Sequence, residues 1–222
     1  MQEVFGLKVP RSLEDVCNPR AMALLVYDMQ VGIVKQVKDG PSIVAAVRKA
    51  LDLARSYGVR VFFTRHMSLP RELMGAFQYR MAMAWQKVER PEEVRPWFLR
   101  GSPGFELTPE LTPLSSEAIF DKVTMSAFEG TPLAIALRDC SIRALAVVGL
   151  AMEVGIEPTV HHAADLGIIP IVVEDACAGG HPEAAARSVA SLKFSGDAIF
   201  TDLATLQRLL ERSTTFERDG EV

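Results

Sequence analysis

Short runs of continuous apolar residues recur along the chain and alternate with longer, helix-like stretches. The runs lie at residues 22–28, 60–65, 117–122, 144–149, 169–175 and 197–200. Because apolar residues follow one another in these runs rather than every second residue, the runs are typical of strands buried on both faces. The pattern therefore predicts a parallel β-sheet.

The helix-like stretches carry the residues that usually mark helix ends. The clearest of them span residues 41–58, 131–140 and 157–167, with proline near the start or glycine at the end of each. Strands that alternate with helices in this way predict a three-layer α/β/α sandwich.

Residues 67–114 interrupt the alternation and predict an insertion that is too long for a plain crossover loop. Its many Met and Trp residues suit an adaptable apolar surface, so we interpret it as a lid, a subunit contact or both. The alternative is a helix packed on its own domain. We expect an N-terminal arm at residues 1–19, a single domain at 20–212, and a flexible polar tail at 213–222.

Composition narrows the classes of partner. The net charge of -4 argues against nucleic acid and against an anionic membrane, which leaves a small-molecule substrate. The N-terminal residues lack the apolar core of a signal peptide, and no run reaches the ~20 apolar residues of a membrane span, so we expect a cytoplasmic protein.

Metal and cofactor motifs are missing from the sequence. The three cysteines are odd in number and have no CxxC spacing, and neither a GxGxxG nor a Walker-type loop is present. The sequence therefore predicts no metal and no cofactor.

The candidate chemistry lies where predicted strands end, because open parallel sheets bind ligands outside the carboxyl ends of their strands. The first strand ends at Asp28, the third at Lys122, and the fourth at Gly149, before a turn around Gly155. Taken singly, the aspartate could be a helix or turn cap and the lysine a solvated surface group.

Together these segments resemble the isochorismatase-like hydrolases. The resemblance rests on "LLVYDMQ", on "DKVTMSAFEGTPL", and on "AVVGLAMEVGIEPTVHHAADLGIIPIVVEDACAGG", and it covers residues 20 to 205. It implies a six-stranded parallel sheet in a Rossmann-like sandwich, a homo-oligomer such as a dimer or tetramer, and hydrolysis of small amides or related substrates.

Most members of that family resemble one another in an Asp, Lys, Cys triad. Asp28 and Lys122 match two of its places, and Gly155 stands where the nucleophilic cysteine is expected. None of Cys17, Cys140 and Cys177 occupies the turn, so we predict structural roles for all three.

The glycine resembles that of the true isochorismatases, which cleave a vinyl ether. On this hypothesis Asp28 is a catalytic acid kept protonated by apolar burial, and Lys122 tunes it. The backbone amides of the Gly155 turn would hold a carboxylate or an oxyanion. The alternatives are an amide or cyclic-amide hydrolase in which Asp28 activates water, and a non-catalytic ligand-binding member of the family.

Further substrate contacts follow from the same resemblance. We predict substrate-binding roles for Gly155, for Ala151 where isochorismatases have a tyrosine, for His66 where they have a glutamine, and for Arg80 as a carboxylate-binding arginine. The resemblance also implies a cis peptide bond between residues 150 and 151.

Overall fold

A computed structural model describes residues 1–219 of the chain. The N-terminal arm begins with an antiparallel hairpin of β1 (Gln2–Val4) and β2 (Leu7–Val9), in which every residue is exposed. A short helix, α1 (Leu13–Val16), follows, and its Leu13 is buried in the domain core. The arm therefore joins the domain through its second half.

Six parallel strands form the main sheet, in the order β5-β4-β3-β6-β7-β8. Their bounds are β3 (Met22–Tyr27), β4 (Arg60–His66), β5 (Ala118–Lys122), β6 (Ala144–Leu150), β7 (Ile169–Ala178) and β8 (Ile199–Thr201). The chain runs outward from β3 to β5 and then returns to β6 beside β3. The strand order therefore reverses between β3 and β6.

Helices cover both faces of the sheet. They are α2 (Val31–Val34), α3 (Gly40–Ser56), α4 (Ala76–Gln86), α5 (Leu133–Asp139), α6 (Glu157–Asp165), α7 (Pro182–Ser195) and α8 (Leu203–Asp219). One apolar core lies between the sheet and helices α3 and α8, and the other between the sheet and helices α5, α6 and α7. The predicted three-layer sandwich with a six-stranded parallel sheet is confirmed.

The central strand β3 supplies both cores. All of its residues are buried. Leu24 and Val26 belong to the core under α3, whereas Leu25 and Tyr27 belong to the core under α6, because successive side chains of a strand point to opposite faces. The last residue of β3 therefore directs its phenol toward α6.

The insertion at residues 67–114 contains α4 and three short 3₁₀ turns at Arg71–Leu73, Pro91–Glu93 and Pro109–Leu111. No residue of α4 is buried. The later half of the insertion packs more closely, since Phe98, Phe105 and Leu111 are buried. Whether the insertion serves as a lid or as a subunit contact stays a prediction.

The C-terminal helix α8 continues to Asp219. Residues 220–222, the end of the predicted flexible tail, lie outside the described residues. Within residues 1–219, no helix is both long enough and apolar enough to cross a lipid bilayer.

Candidate active site

A cavity of about 430 Å³ opens where the strand order reverses, at the carboxyl ends of β3 and β6. Its wall includes four of the residues predicted from sequence: Asp28, His66, Ala151 and Gly155. Aromatic side chains form another part of the wall, and they belong to Trp85, Trp97 and Phe98 of the insertion.

Asp28 and Lys122 meet at this cavity although they lie 94 residues apart in the chain. Lys122 Nζ donates to Asp28 Oδ2 at 2.6 Å, and the Thr64 hydroxyl donates to Asp28 Oδ1 at 2.7 Å. Asp28 is 4% exposed and Lys122 is 3% exposed. Asp28 lines the cavity, and Lys122 lies behind it as its buried partner. The predicted convergence of the two strand ends is confirmed, and their catalytic roles stay predictions.

The surroundings of Lys122 change the pKa of its ammonium group in opposite directions. Burial lowers the pKa of Lys122, and the charge and hydrogen bond of Asp28 partly oppose this. The ammonium also makes a cation–π contact with the Tyr27 ring, whose centroid lies 4.3 Å from Nζ. It donates a hydrogen bond to the Thr124 carbonyl at 3.2 Å. These contacts fix the lysine head group beside the aspartate.

The turn after β6 brings the backbone close to β3. Gly149 has a φ of +122°, and a Cβ atom there would overlap the Tyr27 carbonyl oxygen, so only glycine fits at this position. The peptide bond between Leu150 and Ala151 is cis, as predicted. A π-helical turn at Met152–Ile156 then leads directly into α6.

The backbone amides of this turn are already used within it. The N–H groups of Val154, Gly155 and Ile156 donate to the Ala151 carbonyl at 3.2, 3.0 and 3.1 Å. These three N–H groups are therefore hydrogen-bonded within the turn, and the expectation that the amides of the Gly155 turn hold a carboxylate or an oxyanion stays a prediction.

The phenol of Tyr27 occupies the space beside Gly155. A Cβ atom on residue 155 would lie 2.5 Å from Tyr27 Cε1 and would overlap the hydroxyl. That hydroxyl donates to the Met125 carbonyl. Burial raises the pKa of Tyr27 well above its ordinary value, so the phenol remains protonated at neutral pH.

His66 lies on the wall in a neutral state. Burial, together with the nearby charge of Lys122, lowers the pKa of His66 to about 4. Its backbone N–H donates to Gln30 Oε1 at 2.6 Å, while Gln30 Nε2 donates to the carbonyls of His66 and Phe105. Gln30, which is fully buried, thus ties the ends of β3 and β4 to the insertion.

Other predicted groups lie elsewhere. Arg80 is exposed on α4 and is not among the residues that line this cavity, so the structure does not bring it to Asp28, and its role stays a prediction.

None of the three cysteines lines the cavity either. The Cys177 thiol donates to the Val147 carbonyl, and burial raises its pKa to about 12. Burial likewise raises the pKa of Cys17 to about 11.

Several residues of the site were not predicted individually from the sequence, although each carries a signal. Thr64 is the single polar residue in the buried middle of β4, and Gln30 completes the Asp-x-Gln motif that follows β3. Tyr27 and Glu153 stand within motifs that were quoted for other residues. Trp85 and Trp97 are the two tryptophans of the chain, and both reach the cavity.

A cluster of metal ligands is absent from the part of the chain that the structure describes, residues 1–219. In that part of the chain, no three His, Cys, Asp or Glu side chains are arranged so that they could hold an ion.

Comparison with known proteins shows which family the chain belongs to. The isochorismatase domain family matches residues 22–207 of the chain. The ureidoacrylate amidohydrolase of Serratia proteamaculans is 25% identical over 185 residues, which cover 77% of this chain and 75% of that protein.

Solved structures agree with this match. A cysteine hydrolase from Pseudomonas syringae superposes with a TM-score of 0.74 at 27% identity, covering 88% of this chain and 95% of its own. An isochorismatase family protein from Desulfovibrio vulgaris superposes with a TM-score of 0.73 at 25% identity, covering 86% and 99%. The family match spans most of the chain and includes both strand ends of the cavity, so this protein belongs to the isochorismatase-like hydrolases.

Proposed function

We propose that this protein hydrolyses a small amide without a cysteine nucleophile, using Asp28 as the general base. The observation that supports this proposal is that two members of the family triad are present at the cavity and the third, the cysteine, is not. The Asp28–Lys122 pair is intact at the cavity, whereas the Tyr27 phenol fills the space of a side chain at residue 155.

In the proposed reaction, Asp28 removes a proton from a water molecule as the water oxygen bonds to the carbonyl carbon of the substrate. The C–N bond then breaks, and the proton passes from Asp28 to the departing nitrogen. The products are a carboxylic acid and ammonia or an amine. Lys122 keeps the Asp28 carboxylate oriented throughout, and no covalent enzyme intermediate forms.

The contacts of Asp28 favour a base over an acid. Both of its carboxylate oxygens accept hydrogen bonds, one from Lys122 and the other from Thr64. Each oxygen keeps a further lone pair that can accept a proton from water in the cavity. An acid role would instead require a proton on a carboxylate that already faces an ammonium group.

Vinyl-ether hydrolysis is the second candidate. It is supported by the glycine at residue 155, through the resemblance to the true isochorismatases. The amide reaction is favoured because the relatives in the comparisons include an enzyme named as an amidohydrolase. Among the residues that the structure describes, the cavity wall also contains no arginine or lysine to receive the carboxylates of an isochorismate-like substrate.

The shape of the cavity supports a substrate with an apolar, planar portion. Trp85, Trp97 and Phe98 present aromatic surface on one side of the cavity, and Ile33 and Val37 present aliphatic surface. Such surfaces favour flat apolar groups. We therefore expect aromatic or unsaturated amides to be better substrates than short aliphatic ones.

The first test is a panel of small amides assayed for ammonia release, with isochorismate assayed in parallel for pyruvate release. We expect ammonia from an aromatic amide and its loss in Asp28→Asn, by a factor of about 10² or more. Asp197→Asn is the matched control, because Asp197 pairs with His161 outside the cavity. Pyruvate release that depends on Asp28 would replace this proposal by the vinyl-ether reaction.

The second test concerns the thiols. A Cys17→Ala, Cys140→Ala, Cys177→Ala variant is expected to keep kcat/KM within about twofold, since no cysteine lines the cavity. Circular dichroism of the variant checks that it is folded. Loss of activity in a folded triple variant would show that a thiol takes part and would refute the cysteine-independent route.

The assembly and location of the protein are also part of this proposal. By resemblance to the family, we expect a homo-oligomer, either a dimer or a tetramer, in the cytoplasm. Light scattering coupled to size-exclusion chromatography measures the first expectation, and cell fractionation measures the second.

A further inference from the structure

Glu153 places a carboxylate on the cavity wall that the Asp28–Lys122 pair does not neutralise. Its Oε1 accepts a hydrogen bond from the His181 N–H at 2.7 Å. Its Oε2 is buried and has no hydrogen-bond partner among residues 1–219. A buried carboxylate oxygen without a donor is costly, which is why such groups are nearly always paired.

The position of this carboxylate is fixed by the chain around it. Glu153 belongs to the same π-helical turn as Gly155, and it lines the cavity from that turn. On its other side the chain approaches closely at Gly179, where an added Cβ atom would lie 2.5 Å from Oε2. Gly180 and His181 of this approach also line the cavity.

The rest of the wall adds no compensating positive charge. The described wall residues include neither arginine nor lysine. Asp28 is balanced by Lys122. His66 is neutral because burial lowers its pKa to about 4, and the His181 ring accepts a hydrogen bond from the Ala184 N–H through Nδ1. Glu153 is therefore the unbalanced charge of the cavity.

Aromatic surface in the same cavity points to a ligand of the opposite charge. Trp85 is 45% exposed and Trp97 is 40% exposed, and both line the wall. The faces of tryptophan rings attract cations. A carboxylate without a charge partner among the described wall residues, combined with exposed indole rings, is a site for a positively charged nitrogen.

We propose that Glu153 is a specificity-determining residue that binds an ammonium or guanidinium group of the substrate, so that the preferred substrates are cationic amides. An N–H group of such a substrate donates to Oε1, which lies beside His181 on the cavity wall and keeps a further lone pair, and the positive charge of the substrate balances the carboxylate. The inference rests on the proposed amide hydrolysis for the reaction, but the charge preference concerns binding and can be measured separately.

The test uses three amides of the same size, namely 4-(aminomethyl)benzamide, 4-(hydroxymethyl)benzamide and 4-carboxybenzamide. Binding is measured by tryptophan fluorescence in the Asp28→Asn variant, which separates binding from turnover. We expect the cationic amide to bind about tenfold more tightly than the neutral one, and the anionic amide to bind weakest.

Glu153→Gln is the decisive variant, because glutamine keeps the size of the side chain and the acceptor for the His181 N–H. We expect it to reduce the preference for the cationic amide about tenfold while it leaves binding of the neutral amide nearly unchanged. Glu174→Gln is the matched control, since Glu174 pairs with Lys193 outside the wall. A preference unchanged by Glu153→Gln would overturn the assignment.

The remaining outcomes separate the two proposals. A preference for the cationic amide in binding, with no ammonia released by the wild-type protein, would keep this inference and refute amide hydrolysis. Hydrolysis of the amides without any charge preference would keep the proposed amide hydrolysis and refute the role of Glu153. Failure of all three amides to bind at millimolar concentration would overturn the assignment of Glu153.

Discussion

The phenol of Tyr27 stands in the space that a side chain at residue 155 would need. Tyr27 ends β3 and Gly155 lies in the turn after β6, and these strands are neighbours in the sheet. A Cβ atom on residue 155 would overlap the Tyr27 hydroxyl. The two residues are therefore coupled, because a side chain at residue 155 needs the space that the phenol fills.

The first prediction measures this coupling. Gly155→Ala is expected to destabilise the protein by about 1–3 kcal/mol, because the added methyl group overpacks a buried site. The same change in a Tyr27→Ala background is expected to cost close to nothing, since the ring is gone. Urea unfolding of the four proteins gives the coupling free energy.

A glycine elsewhere serves as the control for this cycle. Gly180 also lines the cavity, but a Cβ atom there would lie 3.4 Å from its nearest neighbour, Glu153 Oε1. Gly180→Ala should therefore be nearly independent of residue 27. Equal costs of Gly155→Ala in both backgrounds would show that the phenol does not determine what fits at residue 155.

The second prediction concerns the buried ion pair. Lys122→Met removes the partner of Asp28 and leaves an unpaired carboxylate, with an expected cost of about 3–5 kcal/mol. Adding Asp28→Asn to that variant removes the unpaired charge, so the double variant should be more stable than Lys122→Met alone. Urea midpoints measure both effects.

An exposed pair gives the comparison for this result. Arg48 and Asp52 form an i,i+4 pair on α3, and their side chains are about half exposed. Arg48→Met should cost less than about 1 kcal/mol. A cost for Lys122→Met as small as this would mean that water reaches Asp28 freely, and the site would then differ from the one described.

The convergence of Asp28 and Lys122 could be predicted from sequence because it follows from sheet geometry. The carboxyl ends of parallel strands meet at one edge, and each residue stands at the end of a predicted strand. The cis bond at Leu150–Ala151 could be expected only from the family resemblance, since composition and periodicity contain no sign of it.

The contact of Tyr27 with Gly155 could not be predicted in this way. Alternation along β3 predicts the face on which the phenol lies, but its reach depends on the packing of α6 and of the segment around Met125. Glu153 shows the same limit, because its single donor comes from His181, 28 residues further along the chain. The position of Arg80 could not be predicted either, because α4 has no buried residue that would fix the orientation of the helix.

The third prediction is an acid-dependent loss of stability caused by His66. The pKa of His66 is lowered to about 4 in the folded state, against about 6.5 in the unfolded chain. Between these values the unfolded chain binds a proton that the folded protein does not. Stability therefore falls as the pH drops through this window, and the loss levels off below about pH 4.

At pH 5 this effect should lower the free energy of unfolding by about 2 kcal/mol relative to pH 7. His66→Gln removes the titrating group, so the variant should lose less stability than the wild type over the same interval. Urea unfolding of both proteins at the two pH values isolates the contribution of His66. Identical losses would mean that His66 titrates normally in the folded protein.

The fourth prediction tests Gln30 as the residue that positions the cavity wall. Its side chain donates to the carbonyls of His66 and Phe105 at 3.0 and 2.8 Å, and it accepts from the His66 N–H at 2.6 Å. Gln30→Met keeps the volume but leaves three backbone groups without partners. We expect a loss of about 3 kcal/mol and a raised KM, because His66 and the insertion are then held less firmly.

Gln207→Met is the matched control, since Gln207 is exposed on α8 and pairs with Glu211. It should change the stability by less than about 0.5 kcal/mol and leave KM unchanged. Gln30→Glu separates the two directions of hydrogen bonding, because it keeps the acceptor for the His66 N–H and loses both donated bonds. If Gln30→Met unfolds at the same urea concentration as Gln207→Met, the insertion is held in place by its apolar contacts alone, through Phe98, Phe105 and Leu111.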